Sequence, residues 1–126
     1  EIAGDDFFVD LFETALVEGE LITAVRFPLP DKAAYMKFPN PASRYAIVGV
    51  FVSQSNGDVR VAVTGAGPCV FRAVAMEAAL ASDFSAEAVA GIFVSGDDFN
   101  NDIHASAEYR THLVTVMAKR AVAKAG

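Results

Sequence analysis

The chain has 126 residues and a mass of 13.3 kDa, with 53% hydrophobic and 21% charged residues; this is one domain with enough apolar material for a core without metal or disulfide staples. Its 10 Lys+Arg against 16 Asp+Glu give a net charge of −6 and a pI near 4.7, which excludes a general nucleic-acid surface, because phosphate binding runs on clustered cations. The single cysteine, Cys69, excludes an internal disulfide framework and suits a reducing, cytoplasmic setting, and no apolar run approaches the roughly 18–20 residues of a membrane span.

The opening Glu1-Ile2-Ala3-Gly4-Asp5-Asp6 is acidic where a signal peptide carries a basic n-region, and no Met precedes it. The expectation is a piece of a longer protein. The first 20 residues hold seven acids and no Lys or Arg. Asp5 and Asp6 are placed to cap a helix over 7–16, with Phe8, Leu11, Phe12 and Ala15 spaced as one apolar stripe. Glu18-Gly19-Glu20 reads as a turn. Residues 21–27 alternate as a strand, stopped by Pro28 and Pro30. Residues 33–38 predict a second strand, with Tyr35 and Lys37 on one face and Met36 and Phe38 on the other. A loop from Pro39 to Arg44 follows. Residues 45–53 are nearly all apolar, as in a buried central strand. Asn56-Gly57 is the strongest short hairpin signal, and 59–64 alternates as the return strand. A short extended piece is expected at 70–72, then helices near 73–80, 85–93 and 106–124. The last carries Ser106 as N-cap and an apolar stripe of Tyr109, Leu113, Val116, Met117, Arg120 and Ala121. Lys119, Arg120 and Lys124 suit the negative end of its dipole. Strands first and helices last is an α+β layout: a small antiparallel sheet packed against about three helices.

Most motif-like spacings dissolve into local structure. Gly65-Ala66-Gly67 follows a strand, yet the third glycine of a dinucleotide fingerprint is Val70, and Pro68 sits where backbone N–H groups should cradle phosphate. It reads as a turn. Asp98, Asn100 and Asp102 open like a calcium loop, but Ile103 replaces the required glycine and Tyr109 the bidentate glutamate. That stretch reads as a polar loop capping the last helix. His104 and His112 have no Cys at metal spacing and no nucleophile beside them, so neither a metal site nor a catalytic residue is assigned. Cys69 reads as a small packed thiol, its nearest cation being Arg72. Tyr35 and Lys37 differ. An aromatic and a cation on one strand face, followed by a loop with Arg44, could contact a planar anionic cofactor; the plain alternative is a solvent-facing strand pair.

Three segments carry a resemblance: IAGDDFFVDLFETALVEGELITAVRFP (residues 2–28), AYMKFPNPASRYAIVGVFV (34–52) and ASAEYRTHLVTVMAKRAVAKA (105–125). In order and spacing they resemble the C-terminal domain of the FAD-binding (medium) subunit of carbon monoxide dehydrogenase and xanthine dehydrogenase-type molybdenum hydroxylases. The resemblance implies an α+β sandwich and a single domain over 1–126. It implies FAD as cofactor, with upstream FAD-binding domains that hold the pyrophosphate and are absent from these residues. It also implies partner subunits carrying 2Fe-2S clusters and molybdopterin, from which electrons reach the flavin and then an acceptor. Tyr35, Lys37 and Arg44 would belong to one wall of the flavin site. The chain alone is expected to be inactive and not to retain FAD. The competing reading is a stand-alone protein-interaction or dimerisation module without a redox role, in which the sheet or the acidic N-terminal segment binds a partner.

Overall fold

The computed structural model describes all residues, Glu1–Gly126. In chain order the elements are α1 (Gly4–Phe7), β1 (Phe8–Asp10), β2 (Glu13–Thr14), β3 (Lys32–Pro39), β4 (Ala46–Ser55), β5 (Asp58–Thr64), β6 (Phe71–Arg72), α2 (Val74–Ser82) and α3 (Ala107–Ala125). β1 and β2 form a miniature ladder; β3, β4, β5 and β6 form one antiparallel sheet in that order.

The centre of the sheet follows from local chemistry. Asn56 and Gly57 take φ of 50° and 88°, as in the mirror-image two-residue turn whose twist suits its flanking strands. Asp31 Oδ2 accepts from the Asn56 N–H at 2.8 Å and ties this turn to the start of β3. The register then pairs Val52 with Val61 and Val50 with Val63. It also sets Ala34, Met36 and Phe38 beside Val52, Val50 and Val48. Side chains alternate along a strand, so all of these share one face. That face is closed by α3 lying on β3 and β4, and by α2 lying on β5. Val48, Val50, Val52, Val61 and Val63 are fully buried against Met76, Leu80, Val114 and Met117. Each such side chain contributes about 1.5–3 kcal/mol on burial, so this layer dominates stability. The opposite face stays open: Tyr35 and Phe51, direct cross-strand partners, are each 41% exposed. The α+β expectation holds, as two small antiparallel sheets and three helices, one of them a single turn. No helix is long and apolar enough to cross a membrane.

The C-terminal helix starts where expected, with Ser106 Oγ accepting from the Tyr109 N–H at 3.1 Å. Its buried face is turned from the expected stripe. It comprises Arg110, Leu113, Val114, Thr115, Met117, Ala118, Ala121 and Val122, whereas Tyr109 and Arg120 are exposed. Leu113, Met117 and Ala121 belong to both faces; the helix is turned toward Arg110, which the carbonyls of Ile47 and Gly65 draw inward.

Three expected elements do not form. The helix over 7–16 is replaced by the single turn α1 and by β1 and β2, with Phe12 at a φ of 57°. Leu11 and Phe12 are exposed; no surface receives the stripe, and helix stability comes mostly from packing such a face. Residues 21–27 form no strand because no neighbouring strand offers a ladder, and Leu21 and Phe27 stand in solvent. Residues 85–93 make tight turns, with Ala90 N–H donating to Glu87 O and Ile92 N–H to Val89 O. The carbonyl of Ile92 is then free to accept from Thr115 Oγ1 at 2.8 Å, which staples this stretch to α3.

Leu113 is 4% exposed and Tyr109 41%, so both cannot anchor α3 equally. Leu113→Ala should cost about 2–4 kcal/mol in urea denaturation and Tyr109→Ala under about 1.5 kcal/mol. Equal losses would put Tyr109 back among the anchors.

Candidate functional site

The open face begins on the edge strand β3. Period-two geometry sets Tyr35 and Lys37 side by side there, opposite Phe51 and Gly49 of β4. The following loop is shaped by Asn40, which is buried. Its Oδ1 accepts from the N–H of Ala42 at 2.9 Å and of Ser43 at 3.2 Å, and its N–H donates to Tyr45 O. This is the local bonding by which Asn organises turns. It delivers Arg44 at a φ of 65°, with the Arg44 carbonyl accepting from Lys37 Nζ at 2.8 Å. The structure therefore brings Tyr35, Lys37 and the Arg44 backbone together at one end of the open face. The four ion pairs of the chain involve other residues. Lys37 and Arg44 are thus two cations that no carboxylate neutralises, in a chain of net charge −6.

Three residues of this face were not picked out from the sequence: Phe51, Gly49 and Thr64. Gly49 pairs with Thr64 on β5 as well as with Lys37. Within an apolar run nothing distinguishes an outward Phe51 from its inward neighbours until the register is known. The importance of Asn40 was also missed; the available signal was an Asn two residues ahead of an Ala-Ser pair in a turn.

Beneath this end of the sheet lies Arg110, 2% exposed. Its Nη1 donates to Ile47 O at 2.6 Å and to Gly65 O at 3.0 Å, and its Nη2 meets Asp102 Oδ2 at 2.8 Å. Gly65 is at a φ of +78°, and a Cβ there would lie 2.8 Å from Ile47 O. Asn100 Nδ2 donates to the carbonyls of Gly65 and Gly67. The segment from Gly65 to Pro68 is thus the turn expected of it, its carbonyls engaged by Asn100 and Arg110. The loop over 98–102 acts one step removed from capping: Ser106 caps α3, while Asp102 holds Arg110 in its first turn. The Asp102 carboxyl lies below its ordinary value. The cause is first the His104 N–H and then the Ala105 N–H and Arg110, which together outweigh desolvation. His104 is exposed, with Nδ1 3.3 Å from Asn40 Nδ2; His112 stacks on Tyr109; Cys69 is half-buried.

A second charged cluster sits at the far edge. Glu77 Oε1 accepts from the Val61 N–H, where β6 is too short to pair, and Arg72 grips both Glu77 oxygens. Burial would raise the Glu77 carboxyl, but the Arg72 and Val61 bonds lower it overall. The remaining Arg72 nitrogen holds Asp5 at 2.8 Å and so pins α1 to the sheet.

The family model for the CO dehydrogenase flavoprotein C-terminal domain matches residues 33–125. The chain belongs to that family. This flavoprotein C-terminal domain is 35% identical to the nicotine 6-hydroxylase medium subunit of Paenarthrobacter nicotinovorans over 135 aligned positions, covering 99% of the chain and 48% of that protein. It is similar to the solved Cu,Mo-CO dehydrogenase in its cyanide-inactivated form, at 27% identity and a TM-score of 0.73, over 98% of this chain and 48% of that one. Reconstituted CO dehydrogenase from Oligotropha carboxidovorans matches at 27% identity and a TM-score of 0.74, with the same shares covered. Quinoline 2-oxidoreductase from Pseudomonas putida 86 shares the fold at 22% identity and a TM-score of 0.72, over 96% of this chain and 46% of that one. The chain spans about half the length of these relatives.

Because the folded Asp102 carboxyl lies below its ordinary 3.8, the stability it adds is present above that value and is lost as pH falls through the folded value. Urea midpoints of wild type and Asp102→Asn should differ by a constant amount from about pH 7 to pH 5 and converge below about pH 4. A gap that persists into strong acid would show that the Asp102 charge does not matter.

Proposed function

We propose that this chain is the C-terminal domain of the flavoprotein subunit of a molybdenum hydroxylase, and that the open face of its sheet forms one wall of the FAD site. One observation carries the reading: the sheet is sealed on one face and open on the other, where Tyr35 and Phe51 stand exposed beside the unneutralised Lys37, whose Nζ donates to the Arg44 carbonyl. Apolar rings with adjacent cations fit a flat aromatic group that becomes more negative on reduction. The fit extends to one wall only. The turn at 65–68 ends in Pro68, which has no N–H to offer a phosphate oxygen, so phosphate contacts are assigned to upstream domains of a longer flavoprotein. Residues 1–126 would then be one domain that is inactive alone and does not hold FAD by itself.

FAD, when bound, supplies the redox chemistry and passes electrons from iron–sulfur clusters to an acceptor. Tyr35 and Phe51 offer apolar area and exclude water from one side of it. Lys37 Nζ, steered by the Arg44 carbonyl, brings positive charge that favours the reduced form. Arg44 adds positive potential at the same edge. The names of the relatives, a medium subunit and a Cu,Mo-CO dehydrogenase, support a molybdenum enzyme of several subunits; the partner subunits would carry the 2Fe-2S clusters and the molybdopterin, where substrate oxidation would take place. The lone cysteine suits a reducing, cytoplasmic location.

A second surface supports an interaction role. Phe12, Leu21, Phe27 and Leu29 are at least 80% exposed, all within a tract that lacks regular partners. Apolar exposure on this scale marks a contact surface. The tract precedes the family match at 33–125 but falls within the stretch shared with the longer relatives, so we assign it to the rest of the flavoprotein chain.

In the full flavoprotein, Lys37→Met should make flavin reduction harder by about 30 mV for the two-electron couple, equivalent to about 1.4 kcal/mol. An unchanged potential with FAD bound would make Lys37 an ordinary surface lysine. Hydrogen exchange addresses the second surface. Amides of residues 8–29 should exchange rapidly in the 126-residue chain and be protected in the full flavoprotein. Self-association of the short chain, with no protection in the long one, would favour the stand-alone dimerisation module instead.

A further inference from the structure

Gly49 occupies the middle of the sheet, in a strand with ladders on both sides. A glycine there weakens a strand, having no side chain to pack, and commonly marks a close approach of another group. Its φ is not in the left-handed region, so the backbone does not require glycine. The close approach does. A Cβ on Gly49 would overlap the Tyr35 hydroxyl and lie 2.9 Å from Tyr35 Cε2 and 2.7 Å from Thr64 Oγ1. Tyr35 pairs directly with Phe51, yet its ring leans along the diagonal and sets its tip on the bare backbone of β4. Diagonal neighbours on a sheet face are within reach of aromatic side chains.

We infer that Gly49 is the seat of the Tyr35 ring and acts as a positioning residue: by leaving room for the ring tip it keeps Tyr35 lying down on the sheet, and so sets how far the aromatic wall projects toward the cofactor. The inference rests on the reading of the open face as the FAD wall. Of the groups that would collide with a Cβ, the Tyr35 ring is the part free to yield. It is 41% exposed on an open face, whereas the backbone of β4 is held from both sides. A methyl at position 49 therefore lifts the ring into the space that the cofactor would occupy and leaves the core, on the opposite face, untouched. Thr64 Oγ1 can swing away about its χ1.

Two measurements test this. In the 126-residue chain, Gly49→Ala should keep the wild-type thermal midpoint. The aromatic NMR resonances of Tyr35, assigned by their loss in Tyr35→Phe, should shift while those of Tyr45 and Tyr109 stay in place. In the full flavoprotein titrated with FAD, Gly49→Ala should weaken binding about tenfold, equivalent to about 1.4 kcal/mol. The loss should vanish when Tyr35 is already alanine, because a double-mutant cycle removes a contact only once. Unmoved Tyr35 resonances overturn the inference. So does a Gly49→Ala loss that is undiminished in the Tyr35→Ala background. A Gly49→Ala chain that fails to fold overturns it too, since the backbone and not the ring has then yielded. If the resonances shift while neither Gly49→Ala nor Tyr35→Ala alters FAD affinity, it is the cofactor-wall reading that falls: Tyr35 is seated on Gly49 but does not face FAD.

Discussion

A single buried guanidinium holds three distant stretches of this chain together. Arg110 leaves the first turn of α3 and reaches the carbonyl of Ile47 at the start of β4, the carbonyl of Gly65 just past β5, and the carboxylate of Asp102 in the preceding loop. A buried cation is costly unless it is paired and hydrogen-bonded. Here two carbonyls and a carboxylate meet that need, with only Nε left without a partner. Lysine could not replace it, because one ammonium on a flexible stem cannot span the three acceptors that a planar fork reaches. The clamp lies under the end of the sheet whose opposite face carries Tyr35, Lys37 and Gly49. The open face is therefore held in shape from below, by a guanidinium that is itself buried.

Legibility of the fold tracked how local its causes were. The hairpin of β4 and β5 was plain, because Asn56-Gly57 and two alternating runs determine it without help from the rest of the chain. The start of α3 was plain for the same reason, through Ser106. The helix over 7–16 and the strand over 21–27 were misread on patterns that are real. Apolar spacing states that a segment needs a partner, and says nothing of whether that partner belongs to the same chain. In 85–93 the composition suited a helix, but the Ile92 carbonyl goes to Thr115 instead of to the next turn. The buried face of α3 turns on Arg110, whose partners are the main-chain carbonyls of Ile47 and Gly65, and these carry no residue-type signature.

The candidate site divides along the same line. Tyr35 and Lys37 share a face by parity alone, so the sequence could place them together. The link from Lys37 to Arg44 runs through a main-chain carbonyl, and a carbonyl has no residue-type signature. Gly49 was hidden more deeply. Its significance depends on which residue lies diagonally across the ladder, and register is a property of two strands at once.

Lys37 has a further duty that needs no cofactor. β3 is an edge strand, and exposed edges invite pairing with other chains unless charge or proline blunts them. This edge carries Lys32 and Lys37 and ends at Pro39, with Lys32 lying 5.3 Å from the centre of the Phe84 ring. Edge protection, however, is indifferent to sign: a glutamate would blunt the strand as well. It is equally indifferent to where the Arg44 carbonyl lies. What edge protection leaves unexplained is a positive charge, steered by a turn built on buried Asn40, beside two rings on a face the rest of the domain leaves open. An electron-accepting ring against that face would call for each of these features.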